Sequence, residues 1–234
     1  MNKTKIEWTD MSWNPCTGCS KISSGCTNCY AEKASKHLQG MGFVKYKNGF
    51  QLAQHPYTLK QPYHWRKPRK VFVNSMSDLF HENMPFPFIQ AVFKVMNDNS
   101  QHIFQVLTKR ADILQKYAPL LTWSDNIWMG VTIESDQYYQ RINALKTTGA
   151  KVKFLSCEPL LSSIKGMPLN GIDWVIVGGE SGARAKVRPI QDDWVREVRD
   201  NCLSANIPFF FKQYGGVRKR QSVLDGKIHK EFPK

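Results

Sequence analysis

A partial or complete (β/α) barrel of about six or seven parallel strands, carrying an N-terminal cysteine loop, is the fold class this sequence predicts. Three observations predict it. Short apolar runs alternate with longer stretches of helical periodicity, the mark of β/α units. The runs are nearly continuous in Val, Ile, Leu and Phe, as strands buried on both faces require. Each run is followed by polar, charged or glycine residues, where the loops around a barrel mouth collect function. With 234 residues, 41% hydrophobic, the chain can bury a sizeable core, and global disorder is excluded. A single domain over residues 1–216 with a basic tail at 217–234 is expected.

In chain order, a first short strand is expected at residues 6–9, followed by the cysteine segment at 13–30. A helix at 31–39 is stopped by Gly40. Residues 40–70, with several Gly and Pro, read as an irregular insertion. It ends in a stretch from Lys60 to Lys70 with five positive charges, no negative ones, and Tyr63, His64 and Trp65 interleaved. Further strands are expected at 71–73, 103–107, 127–133, 152–155, 174–177 and 208–211, with room for one helix between each pair. Helical faces show at Phe88, Val92, Phe93 and Met96; at Tyr138, Ile142 and Leu145, stopped by Gly149; and at Trp194, Val198 and Cys202. Cys202 thereby reads as a core residue and Cys157 as one at the barrel mouth. The tail is basic and reads as partly disordered.

The polar groups after the strands are Asn74, Ser75 and Asp78; Lys109 and Arg110; Glu134; Glu158; Gly178, Gly179, Glu180, Ser181 and Gly182; and Lys212 with Gln213. In a closed or nearly closed barrel, the three glutamates and two lysines would point into one cavity. Paired glycines after a buried strand let backbone approach a ligand closely. No GxGxxG or Walker A sequence occurs, which removes the usual nucleotide-fold motifs.

Lys plus Arg number 33 against 19 Asp plus Glu, a formal charge of +14 that favours a polyanionic partner. No apolar run reaches the roughly 18–20 residues of a membrane span, and the first residues show no secretory h-region, so a cytoplasmic chain with no membrane partner is expected. In a reducing compartment, clustered cysteines read first as metal or catalytic ligands. Cys16, Cys19, Cys26 and Cys29 fall within fourteen residues. Four thiolates around one zinc ion are one solution, although the six residues between the CxxC pairs are fewer than the roughly 15–20 of ribbon-type sites. An iron–sulfur cluster is the other, with Gly18 and Gly25 before two ligands where the backbone folds tightly.

These residues carry a resemblance. Through Trp13-Asn-Pro15, Gly18-Cys19, Gly25 to Ala31, Asn74 to Phe80, Leu107 to Arg110, Leu155 to Leu160, Val175 to Gly182 and Phe210 to Gln213, nearly the whole chain resembles a group of phage- and prophage-encoded proteins with a three-cysteine motif, similar to radical S-adenosylmethionine (SAM) enzymes. The resemblance implies a [4Fe-4S] cluster on Cys19, Cys26 and Cys29, with SAM chelated by the open iron and cleaved by one electron to a 5′-deoxyadenosyl radical. It makes Asn74, Ser75, Asp78, Gly178, Gly179 and Glu180 candidates for holding SAM, and Glu134, Glu158 and Lys212 candidate catalytic groups. Cys16 is either a fourth ligand or a bystander. The usual radical SAM pattern spaces its cysteines x3 and x2, so the x6 gap here implies a different loop geometry. Its Gly-Gly-Glu block usually follows the second strand and here follows a late one.

A nucleic acid, a nucleotide or a modified base is the substrate class favoured by the basic, aromatic-laced stretch, and an electron-donor protein is the implied partner. The competing reading is a non-catalytic nucleic-acid-binding protein with a structural four-cysteine zinc or iron–sulfur site. Oligomeric state stays open.

Overall fold

Seven short apolar segments become seven hydrogen-bonded parallel strands in this computed structural model, which describes residue 4 and residues 6–181, 187–216 and 221–233. In chain order the strands are β1 (Met11–Trp13), β2 (Cys16–Thr17), β3 (Ala53–Gln54), β4 (Lys70–Val73), β5 (Ile103–Thr108), β6 (Ile127–Thr132), β7 (Lys153–Cys157), β8 (Trp174–Gly178), β9 (Phe209–Gln213), β10 (Val223–Leu224) and β11 (Lys227–Ile228). The main sheet runs β1-β4-β5-β6-β7-β8-β9, every pair parallel, and β1 and β9 are its two edges. It is a half-barrel, the partial form of the barrel that the alternation of apolar runs predicts. The helices are α1 (Tyr30–Gly40), α2 (Phe86–Asp98), α3 (Ala111–Tyr117), α4 (Gln140–Lys146) and α5 (Asp192–Ser204). No helix among the described residues is long and apolar enough to cross a membrane.

Side-chain alternation divides the interior into two layers. Val71, Val73, Phe104, Val106, Met129, Leu155, Val175 and Phe209 face the helices, where Phe88, Ile89, Val92, Leu145, Val195 and Val198 cover them. Cys202 lies in this layer, fully buried. So does Cys157, which points away from the mouth because odd positions of β7 face outward. The other face is concave. Its amino-terminal half is filled by Phe72, Trp128, Phe154, Trp174, Ile176 and Phe210.

Residues 6–9, expected as a strand, are not one. They carry Trp8 into the concavity, where its ring lies 4.7 Å from Phe72 and 6.4 Å from both Phe154 and Trp174. A half-barrel leaves its inner face without a facing sheet, and a large aromatic plug fills that space. Gly130 belongs to the same packing, since a Cβ there would stand 2.5 Å from the Phe154 ring. The first strand starts only at Met11.

Two other expectations change. Between β7 and β8 there is no helix among residues 158–173, which run as turns sealed by Leu160, Ile164, Met167, Leu169 and Ile172. The tail, read as loose, docks on the sheet: Phe211 N–H donates to His229 O at 2.9 Å, Trp174 Nε1 to Glu231 O at 2.8 Å, and Phe232 stacks 5.1 Å from Trp174. It covers the β9 edge and the bottom of the concavity. Residues 217–220 of that tail lie outside the described residues.

Candidate metal centre and active site

The cysteine loop crosses the carboxyl ends of the strands. It leaves β1, pairs β2 with β3 antiparallel, and bridges Gly18 to Ser77. Gly18 has φ +82°, and any Cβ there would collide with the backbone of Gln51 and Leu52, so only glycine serves. Cys19 follows and is tied by its N–H to Phe50 O at 3.1 Å. Cys26 closes a 3₁₀ turn over Ser24–Cys26, and Cys29 is the N-cap of α1. All three thiols are free and half-buried.

Cys16 differs. It is fully buried, its N–H donates to Asn74 Oδ1 at 3.2 Å, and its sulfur lies 3.1 Å from Ser77 Oγ. Burial pushes its thiol up to about 12.

Two carboxylates predicted at the mouth turn out to seat this loop. Glu134, after β6, is completely buried: Oε1 accepts Ser23 Oγ at 2.6 Å and the Lys109 ammonium, while Oε2 accepts Arg141 Nη1 at 2.9 Å. A Cβ on Gly25 would overlap Glu134 Oε1 and approach its Cγ to 2.8 Å, so Gly25 is small to let the loop descend onto this acid. The tight fold expected of Gly18 and Gly25 thus has two causes: backbone conformation at the first and close packing at the second. Glu180, after β8, accepts Asn28 Nδ2 at 2.9 Å and Arg188 N–H at 2.9 Å on Oε2, and pairs with the Arg188 guanidinium on Oε1. Arg188 Nη2 in turn donates to Ser24 O at 3.0 Å. Burial works against ionisation of both acids, but Lys109 and Arg141 for Glu134, and Arg188 and Asn28 for Glu180, outweigh it and hold both carboxyls below the usual range.

Asp78 is equally committed. It accepts Thr108 Oγ1 at 2.7 Å, Phe80 N–H at 3.0 Å and Lys109 N–H at 3.0 Å, joining the loop after β4 to the end of β5. That fixes Arg110, which is 4% exposed and donates to Ser20 O at 3.0 Å, to Ser20 Oγ at 2.8 Å and to the Cys19 sulfur at 3.5 Å, and pairs with Glu82. The thiols are therefore bracketed by cations. Burial, reinforced by the Asp78 charge and opposed by Arg110, pushes Cys19 up to about 11. For Cys26 burial also acts upward, but hydrogen bonds from Ser23 and the Ile22 backbone, together with the Lys109 charge, hold it below its ordinary value.

The donor set fits an iron–sulfur cluster: three half-buried thiols on one loop, with Arg110 and Lys109 beside two of them to neutralise thiolate charge. No three His, Cys, Asp or Glu among the described residues converge on a single-ion position.

Above the aromatic plug the same inner face becomes small and polar at Thr132, Ser156 and Gly178. Glu158 Oε1 pairs with Lys212 Nζ at 2.8 Å across the end of β8, and a Cβ on Gly178 would stand 2.5 Å from that oxygen. Gly179 presses against Tyr214 O with no room for a side chain. Gly178 and Gly179 accordingly admit neighbours from β7 and β9. Asn74 adopts φ +61°, and its Nδ2 is buried without a hydrogen-bond partner. Ser75 O accepts the Tyr30 hydroxyl, and its Oγ donates to Asn14 Oδ1 at 3.2 Å. The predicted residues are thus gathered at one end of the sheet, but their carboxylates sit in four ion-paired clusters around a seated loop in place of one cavity of bare carboxylates. Gly182 lies outside the described residues. Arg188, Arg141 and Asn28 were not singled out by the sequence; Arg188 could have been suspected as a cation close behind the Gly178–Gly182 turn.

The stretch Lys60–Lys70 is elsewhere. It leads into the amino end of β4, the end opposite the cysteine loop. There Trp65 packs on the core 5.5 Å from His102, and Tyr63 donates to Asp98 Oδ2 at 2.6 Å. The Tyr63 hydroxyl thus ties the insertion to α2, while the Trp65 ring is packed on the core.

Comparison with known proteins accords with this architecture. A mutant structure of spore photoproduct lyase matches with a TM-score of 0.51 at 11% identity, over 85% of this chain and 62% of that one. A second lyase structure, with bound AdoMet and dinucleoside spore photoproduct, matches at 0.49 and 10% identity with the same coverage. The chain thus spans 62% of the length of the lyase chains, and at 11% identity the first likeness establishes the fold alone. No curated protein matches. A family model described as a protein of unknown function, DUF5131, matches residues 3–233. With that match over almost its whole length, the chain belongs to the DUF5131 family.

Proposed function

We propose that this protein is a radical SAM-type enzyme of a reducing compartment, binding a [4Fe-4S] cluster through Cys19, Cys26 and Cys29 and acting on a nucleotide or nucleic acid. One observation carries the reading: three free, half-buried thiols on a loop pinned by Glu134 and Glu180 to the carboxyl ends of a seven-stranded parallel half-barrel. The fold is shared with spore photoproduct lyase. A cluster held by Cys19, Cys26 and Cys29 would supply the electron for reductive cleavage of SAM, with a reduced carrier protein as its source.

The chain's own residues bind and shield. Glu134 and Glu180 act as positioning residues for the loop, while Lys109 and Arg110 offset the negative charge of the thiolates. Asn74, whose Nδ2 is buried and unpartnered, and the Glu158–Lys212 pair line the polar end of the concavity, where they offer a donor, an acceptor and a cation to SAM or substrate. The aromatic plug below closes that space from water. Ser75 and Asp78 serve the loops around it. Cys16 is left out of the ligand set, because its buried sulfur is engaged with Ser77, and this counts against a four-cysteine structural site.

Anaerobically reconstituted protein incubated with SAM and dithionite is expected to form 5′-deoxyadenosine, and Cys26→Ala protein to form none. Absence of 5′-deoxyadenosine from a protein carrying its full iron would refute the assignment.

A further inference from the structure

Between Glu32 and Asp78 the sequence holds no acidic residue and nine Lys or Arg, so this stretch supplies nine of the charges behind the net +14. Five of them belong to Lys60–Lys70 at the amino end of the sheet. Lys45 and Lys47 do not. They line a cavity of about 250 Å³ in the insertion, together with Asn48, Gln51, Gln54 and Tyr57. The size is slightly below the roughly 300 Å³ at which drug-sized pockets begin, room for one base or nucleotide and no more.

The cavity adjoins the cysteine loop. Its wall at Ala53–Gln54 pairs with Cys16–Thr17, Gln51 lies against Gly18, and the neighbouring Phe50 accepts the Cys19 N–H. Lys45 is half-buried, with its ammonium donating to Asn14 O at 2.7 Å. Tyr57 is 65% exposed, its ring 5.8 Å from His55, and Phe43 and Val44 stand exposed nearby at 50% and 81%. His55 is buried against Thr17 Oγ1 at 2.8 Å, and burial, with Lys45, pulls it down to about 4. It is therefore neutral, and the cavity's positive charge comes from the lysines. Side-chain amides, an open aromatic ring, exposed apolar side chains and ammonium groups with no acid in the surrounding sequence form the set that holds an unstacked base and its phosphate.

We propose that this cavity is a nucleotide subsite for a single-stranded or locally unpaired nucleic acid: a base lies on Tyr57, its edge meets the amides of Asn48, Gln51 and Gln54, and Lys45 and Lys47 meet the phosphate. The subsite deepens the proposed function by naming where the substrate strand enters, one ladder away from Cys19, and it rests on that reading only for the class of substrate.

The test is fluorescence anisotropy of short fluorescein-labelled single strands, in DNA and RNA versions, titrated with the apo protein across a salt series. Expected is salt-dependent binding of at least one version. Tyr57→Ala should weaken it about tenfold, as loss of one stacked base does. Lys47→Glu should weaken it comparably and lower the salt slope by about 0.7. Lys116→Glu on the outer surface of α3 and Arg66→Glu with Lys67→Glu at the opposite end should change it about twofold or less. If the wild type binds a strand and the Arg66/Lys67 variant loses it while Lys47→Glu and Tyr57→Ala do not, the substrate class stands and the subsite is wrong. If the wild type binds neither strand, subsite and substrate class fall together, while 5′-deoxyadenosine formation continues to report on the chemistry. Residues 47 and 57 are exposed, so unchanged thermal unfolding of both variants is the folding control.

Discussion

Gly25 lies so close over Glu134 that a single added methyl group would overlap the carboxylate. The contact couples the cysteine loop to the end of β6. Gly25→Ala is therefore expected to lift the loop off its acid, with Ser23 losing its hydrogen bond. Iron retained after reconstitution should fall by at least about half, with the sheet still folded by circular dichroism. Retention equal to the wild type would show that the loop is not held from below.

Glu134 itself neutralises Lys109 and Arg141 from a fully buried position. Glu134→Gln keeps the shape and removes the charge, leaving two cations short of a partner. Breaking a buried pair in this way costs roughly 3–5 kcal/mol, measurable by urea unfolding. A cost under about 1 kcal/mol would mean that water relieves the pair.

The same acids set an acid limit. Glu134 and Glu180 both have folded-state pKa values held below the ordinary carboxyl value. Depressed carboxyls contribute stability that is complete above the unfolded value of about 4.3 and lost as the pH falls toward the folded values. Melting temperature should be level above about pH 5.5 and drop steeply below about pH 4.5, with a shallower drop in Glu134→Gln and Glu180→Gln than in the wild type. Equal acid slopes in all three would assign the limit to other groups.

Thiol reactivity separates the cysteines without any cluster. In the apo protein Cys26, lowered, should be alkylated before Cys19, raised to about 11, and Cys16, buried and raised to about 12, should resist until unfolding. Peptide mass mapping reads the order; early labelling of Cys16 would reopen its exclusion.

Much of the half-barrel was legible in the sequence because each of six strands is an apolar run buried on both faces, and position errors there stay within a few residues. Residues 6–9 misled because Ile6 and Trp8 have strand-like composition; Trp8 is apolar in order to fill the concavity, which only the curvature of the sheet creates. The segment 158–173 shows apolar residues that seal an irregular crossover, and spacing alone cannot distinguish that from a helix. For the site, the residues marked after the strands do lie at one end of the sheet, while their contacts are made with partners distant in sequence. Glu180 meets Asn28 across 152 positions, and no local pattern announces such a pair. The place of Lys60–Lys70 was derivable, since residues leading into a parallel strand lie at its amino end, away from the loops that follow the strands.

Iron and acid-labile sulfide measured per chain after anaerobic reconstitution test the central claim most directly. The account predicts about four of each in the wild type, the same in Cys16→Ser, and loss of both with the brown colour in Cys26→Ala. Stoichiometric zinc without iron, or a cluster that disappears in Cys16→Ser, would contradict it.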